Sequence, residues 1–303
     1  MKLVCVLADT TWSIGRVHRD IADALGSEYE FVFHYDARHY RDKMLADFDR
    51  CDVFLTTPNL FGGLTDSTLK GRNLKKVLFI AHYAHDWTFL KESPLLNEPS
   101  YCTISEAVTE SFPAPCRWTP SGINPALFDY RPRSGKIRTM GWSGNLAWVS
   151  KRVDWSYQIA NGAELVASLT VRTPYAEMRE WYQSIDIFVV TAGPGVDCET
   201  GPLPPFEAAL SGVPVIGTAV GNFRLLPGPK FTTIAEAVAI LQDLKANPDR
   251  AVALAKEQYD AVMSNWTIQA VLPKWREALD AAIEKGRSPS GSSGSSGSSA
   301  SSI

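Results

Sequence analysis

The sequence predicts an α/β fold: two doubly wound domains in series, facing each other across a cleft. Three observations carry this expectation. Short, nearly unbroken apolar runs alternate with amphipathic helical patterns, as parallel strands covered on both faces require. The alternation begins twice, on either side of a Pro- and Gly-rich stretch, TPSGINPALFDYRPRSGK. The 303 residues exceed the usual size of one hydrophobic core, so two are expected.

KLVCVLAD opens the first domain as a buried strand. About five apolar residues precede Asp9, too few for a signal-peptide core or a membrane span. IGRVHRDIADAL follows as a helix with Ile14, Val17, Ile21 and Leu25 on one face, and EFVFHY as the next strand. Further strands at CDVFLTT, KKVLFIAH and SYCTIS complete a domain expected over residues 1–128. The alternation resumes at IRTMGW. A helix over about 149–162, a strand at ELVASLT, a helix at YAEMREWYQSI and strands at DIFVVTA and VPVIGTA build a second domain. With helices at about 233–246 and 248–264, it is expected over residues 136–264. A last helix, 265–287, is expected to cross back to the first domain, and the Gly/Ser-rich residues 288–303 read as a flexible tail.

Composition excludes several classes. Apolar residues are 45% and charged residues 21% of the chain, with a mean hydropathy of −0.10, which suits a globular protein without integral membrane association. A net charge of −3 and a pI near 6.0 leave no overall footprint for a polyanion, so nucleic acid would need a local basic patch. Cysteines at 5, 51, 102, 116 and 198, without a C-x-x-C pair, fit the reduced thiols of a cytoplasmic protein. No metal site and no cofactor are expected.

Open α/β sheets bind ligands outside the carboxyl ends of their strands. In the second domain that place belongs to CETGPLPPFEAALSGVPVIGT. DIFVVTA is the strand, GPGVDCETGPL the loop leaving it, and PFEAALS a short helix begun by Pro204 and Pro205 and ended by Gly212. Glu199 in the loop and Glu207 in the first helical turn can both face the crevice. The N–H groups between them are expected to point there too, favouring an anion at the helix N-terminus. Carboxylates accept hydrogen bonds from hydroxyls, so the pattern suits a phosphate flanked by hydroxyl-bearing groups. The plainer alternative is a pair of capping charges.

The run E-TGPLPPF-E, then AALSGVPVIGT, resembles the hallmark of retaining glycosyltransferases of the GT-B fold, glycosyltransferase family 4 in particular. That hallmark is two Glu separated by seven residues, a small-residue helix, Gly, Pro and a strand. The resemblance implies Rossmann-like domains, with Glu199 on hydroxyls of the donor sugar and Glu207 on the ribose of the nucleotide. SGNLAWVSKRVDW resembles the segment in which a Lys binds the donor diphosphate, which gives Lys151 that role. The family's upstream Arg is absent, Asn145 being nearest; either Arg152 replaces it or the second charge is missing. TISEA and TPSGIN resemble the turn closing the first domain and the turn between domains. FIAHYAHDW puts His82 where the family has a His beside the donor sugar. The family's Gly-rich first loop is reduced to TWSIG, with Gly15 its only Gly, and Pro202 stands at a family Gly position, removing one N–H. Gly201 and Leu203 complete the donor-binding set, while Trp12, Arg16, His85 and Asp86 fall on the acceptor side.

What the resemblance implies is a retaining, metal-independent transfer of a hexose from a nucleoside diphosphate sugar, a UDP-sugar favoured, to an acceptor hydroxyl. His82, Lys151 and Glu199 are the candidate catalytic residues. Lys151, Arg152 and the helix N-terminus around Leu203 to Glu207 would stabilise the leaving diphosphate. The acceptor is not specified. The compact chain resembles phage-encoded enzymes, which makes a hydroxymethylated pyrimidine in DNA one candidate, with Arg16, Arg19, Arg38, Arg41 and KGRNLKK as phosphate contacts. A nucleotide-sugar epimerase of the same fold and a catalytically silent nucleotide-sugar-binding protein are the alternatives.

Overall fold

The computed structural model describes residues 1–8, 13–35, 40–61, 66–69, 71–83, 86, 98–171, 173–193 and 199–288. The N-terminal half runs β1 (Lys2–Leu7), α1 (Ser13–Leu25), β2 (Tyr29–His34), α2 (Arg41–Arg50), β3 (Val53–Thr56), α3 (Pro58–Phe61), α4 (Asp66–Leu69), β4 (Val77–Ala81), β5 (Ser100–Thr103), α5 (Glu106–Ser111) and β6 (Arg117–Trp118). The C-terminal half continues with β7 (Thr139–Ser143), α6 (Val153–Gly162), β8 (Val166–Thr170), α7 (Tyr175–Ser184), β9 (Ile187–Val190), α8 (Pro204–Leu210), β10 (Val215–Gly217), α9 (Ile234–Ala246), α10 (Pro248–Asn265) and α11 (Ile268–Arg287). No helix of the described residues is long and apolar enough to cross a membrane.

Among the described residues the strands form two parallel sheets, ordered β2-β1-β3-β4-β5-β6 and β10-β9-β7-β8. Every residue of β3, β4 and β9 is buried, because helices cover both faces of the sheet, and this is why those strands read as unbroken apolar runs. In each sheet the strand order reverses once on leaving the first strand: β1 pairs with both β2 and β3, and β7 with both β8 and β9. The loops leaving β7 and β9 therefore diverge and open a crevice at their carboxyl ends.

One apolar cluster runs through both halves, from Val4 and Ile80 through Ile104, Leu203 and Phe206 to Trp266 and Trp275. Helix α11 closes it. Its buried residues Ile268, Val271, Trp275, Ala278, Leu279, Ala282 and Ile283 recur at three- and four-residue spacing, the stripe of a helix lying on a core. The helix packs on α1 and on β3 and β4, so it rests on the first sheet. Asp280 accepts from Lys2 Nζ at 2.6 Å and Tyr29 Oη at 2.7 Å, and Arg276 grips both oxygens of Glu28 at 2.7 Å. Beside its start, Ile123 N–H donates to Trp266 O and Ile268 N–H to Ile123 O, so the two chain crossings between halves are bonded together. A Cβ on Gly122 would lie 2.8 Å from Ile268 Cα, so that close approach requires glycine.

Two elements differ from the sequence expectation. The helix expected over about 149–162 is split. Val149–Lys151 form one 3-10 turn, Arg152 takes a left-handed conformation (φ 47°, ψ 52°), and α6 starts after it. The cause is tertiary: Gly193 N–H donates to Ser150 O at 2.7 Å and Thr191 Oγ1 to Lys151 O at 2.8 Å, which tie this turn to the loop leaving β9. The two-residue strand β6, paired with β5, has too little sequence to carry a pattern of its own.

Candidate active site

The crevice of the second sheet is lined by Trp142, Ser143, Lys151, Thr191, Glu199 and Pro205. Trp142 Nε1 donates to Thr191 Oγ1 at 2.9 Å, and Thr191 in turn fixes the Lys151 carbonyl, so the residues leaving β7 and β9 form one bonded unit. From that unit Lys151 is ion-paired with Glu199 Oε2. Both side chains are largely enclosed, at 16% and 13% exposure. Burial pulls the Lys151 ammonium down to about 8, and the Glu199 carboxylate in contact with it opposes that shift.

Glu207, in the first turn of α8, is 3% exposed. Its Oε2 accepts from Tyr182 Oη at 2.8 Å, and its Oε1 accepts from Arg16 Nη2 at 2.9 Å. Burial raises this carboxyl above its ordinary value, while Arg16 and Tyr182 hold it down. The sequence expectation had put Arg16 on the acceptor side and among DNA phosphate contacts. The structure turns it inward, across the cleft, onto the other domain's carboxylate.

The expectation of free amides around Leu203 to Glu207 is not met. Pro204 and Pro205 have no N–H, and the N–H groups of Phe206 and Glu207 both donate to Leu203 O at 3.0 Å. From Pro204 to Glu207 the helix therefore has no N–H left for an anion. Leu203 itself is buried. Gly201 lies against the first domain, where a Cβ would meet Ile104 Cδ1 at 2.7 Å. Asn222 reinforces that contact, its Nδ2 donating to Ile104 O at 2.7 Å and its N–H to Thr200 O at 3.0 Å. Arg152 is not among the residues lining the crevice. Its guanidinium lies over the Trp155 ring at 4.5 Å and beside Gly193.

In the first domain, β4 delivers His82 into a buried position, with Nε2 lacking a hydrogen-bond partner among the described residues. Desolvation pushes it to about 3, with a contribution from His18, itself buried and lowered to about 4. Both imidazoles are neutral at physiological pH. His18 stands edge-on to Trp275 and has no sequence signal beyond its place on α1. Asp86 is buried, and its Oδ2 accepts from the N–H groups of His82 and Tyr83 at 2.6 and 3.0 Å, so its carboxylate holds the turn after β4. Gly15 is buried near the start of α1. Trp12, His85 and Arg38 lie outside the described residues. Of the other basic residues expected on a rim, Arg41 is bonded to Thr68, Arg72 to Asp49, and Lys76 to the carbonyls of Asp49 and Cys51, while Arg19 is exposed beside Tyr35, Lys75 reaches Ser288 O at the surface, and Lys70 lies outside the described residues.

No protein-family profile matches this chain, and no curated protein matches it by sequence. Comparison of folds finds clear neighbours. HepE of Anabaena, solved with UDP and glucose, is 12% identical over 92% of this chain and 100% of its own, with a TM-score of 0.67. Sucrose-phosphate synthase of Thermosynechococcus elongatus is 13% identical over 92% and 98%, at 0.68. AviGT4, a glycosyltransferase of avilamycin A biosynthesis, is 13% identical over 94% and 98%, at 0.64. The likeness to GT-B glycosyltransferases read from the sequence is the likeness the structures display, and the chain has their fold: two Rossmann-like domains facing across a cleft.

Proposed function

We propose that this protein is a retaining glycosyltransferase that moves a hexose from a UDP-sugar to an acceptor hydroxyl. One observation carries the reading: Glu199, on the crevice of the second sheet, and Glu207, buried in the first turn of the helix whose prolines line it, are each paired with a cation. Such a set matches a nucleotide sugar, whose hydroxyls need acceptors and whose diphosphate needs positive charge. The fold neighbour HepE, solved in complex with UDP-glucose, supports the donor class.

In this reading Glu207 accepts from the ribose, Glu199 from the sugar, and Lys151 neutralises the charge that grows on the departing diphosphate. Cations of the chain do this work without a metal. Attack and departure occur on one face of the sugar, with the diphosphate taking the acceptor's proton. His82, neutral and buried just after β4 with its Nε2 unpartnered among the described residues, is the candidate neighbour of the transferred sugar. For the acceptor, a modified DNA base draws no support from Arg16 and Lys76, two of the expected phosphate contacts, which are bonded within the chain. A second reading, a silent nucleotide-sugar-binding protein, is favoured by the missing phosphate-facing amides at Pro202, Pro204 and Pro205.

The test is a panel of UDP-, GDP- and ADP-sugars against sugar, lipid, small-molecule and hydroxymethylcytosine-DNA acceptors. Nucleotide release and acceptor mass are followed, and the product anomer is assigned by NMR. Transfer from a UDP-sugar with retention supports the proposal. Binding without turnover supports the silent reading, and an epimerised nucleotide sugar without acceptor identifies an epimerase.

A further inference from the structure

The two carboxylates, Glu199 and Glu207, are paired with cations from different places. Lys151 comes from the same domain as Glu199, whereas Arg16 reaches from α1 of the first domain to Glu207. Arg152, the sequence candidate for a second diphosphate cation, is held on Trp155, and α8 has no free N–H to offer between Pro204 and Glu207. A ligand with both hydroxyls and phosphates would exchange partners at such a site: its hydroxyls replace the cations on the carboxylates, and its phosphates receive the cations.

We infer that Arg16 is a diphosphate ligand contributed by the first domain and stored on Glu207 until a nucleoside diphosphate arrives. This rests on the nucleotide-sugar reading and extends it to a residue that reading does not assign. The guanidinium suits the task. Its forked donors can bind two phosphate oxygens together, and its side chain is 22% exposed. The exchange is coupled. Glu207 is too buried to lose Arg16 unless hydroxyl donors replace it, and Tyr182 holds only the other oxygen. A bare nucleoside can replace Arg16 but leaves the guanidinium without a new anion. A nucleoside diphosphate supplies both halves, and it joins the two domains in doing so.

The experiment is isothermal titration of the full chain with UDP and with uridine, using wild type, Arg16→Leu, Glu207→Gln and the double variant. Arg16→Leu is expected to weaken UDP by about 10- to 100-fold while uridine holds steady or binds more tightly. The Glu207→Gln background removes the buried charge that Arg16→Leu alone would strand, which keeps the test valid if the single variant does not fold. There, adding Arg16→Leu is expected to cost UDP affinity again, with uridine unaffected. If Arg16 serves only Glu207, the second substitution changes nothing in that background and the inference is overturned. UDP binding equal to or tighter than wild type in Arg16→Leu overturns it as well. If wild type binds no UDP, GDP or ADP, the nucleotide-sugar reading fails first, and that outcome is distinct from a wild type that binds UDP without needing Arg16.

Discussion

In the proposed reaction Lys151 must be charged to neutralise the departing diphosphate, yet the fold holds it where charge is disfavoured. With 16% of its side chain exposed, burial lowers its pKa from the ordinary 10.5 to about 8. At pH 7 about 91% of such a group is protonated and at pH 9 about 9%, so kcat/KM is expected to fall about tenfold across that interval. The assay is UDP release from a UDP-sugar with acceptor between pH 6 and 10, under conditions far below substrate saturation, where kcat/KM reports the free enzyme. Lys151→Arg keeps its charge throughout this range. That variant is expected to work more slowly at pH 7 but to lose the alkaline limb. Stability carries the same signature with the opposite trend. Because the unfolded chain holds this proton more tightly, the charged form costs up to about 3 kcal/mol below pH 8, less what the Glu199 contact offsets. The cost is relieved as pH rises from about 8 towards 10.5, so this residue's contribution to stability increases over that window. A wild-type kcat/KM that stays level to pH 10, or an alkaline limb that survives unchanged in Lys151→Arg, refutes the reasoning.

Other perturbations separate the roles of the remaining groups. Glu207→Gln is expected to weaken UDP by about 10- to 100-fold in calorimetry, since ribose hydroxyls lose a charged acceptor worth about 1.5–3 kcal/mol, and unchanged affinity argues against a ribose contact. Glu199→Gln is expected to lower turnover while bare UDP still binds, and equal loss of UDP affinity in both variants merges the two roles. Trp275→Ala removes a side chain with no exposed surface and the donor to Pro120 O, which should cost about 3–5 kcal/mol in urea unfolding; a cost below about 1 kcal/mol would mean that α11 is not seated as described. Gly221 has φ 42°, and a Cβ there would lie 2.1 Å from Thr200 O. Gly221→Ala is therefore expected to lower both the melting temperature and turnover by displacing the Glu199–Thr200 segment, and normal kinetics would show that the segment tolerates the shift.

The strands and the carboxylate pair were legible in the sequence because both are local. A strand buried on both faces must be apolar at each position, as VFLT and VLFIA are, and Glu199 and Glu207 are fixed by a loop and one helical turn. The amides expected at the start of α8 were misread: two adjacent prolines cannot donate, and the next two N–H groups turn back onto Leu203 O. The bond between Arg16 and Glu207 was not. It joins residues 191 apart in sequence and exists only because two domains close on one another. Nor was the turn at Arg152, a residue that favours helix in isolation but is held left-handed while neighbouring carbonyls accept from the loop after β9. A count of arginines and lysines could not say which are solvated; Lys76 is 8% exposed, with its ammonium on two backbone carbonyls. Sequence by itself determined the architecture and that Lys151 and Glu199 come to the crevice, through patterns a few residues long. Only the tertiary structure decided which cation meets which carboxylate, because charges choose their partners by distance in space and not by distance along the chain.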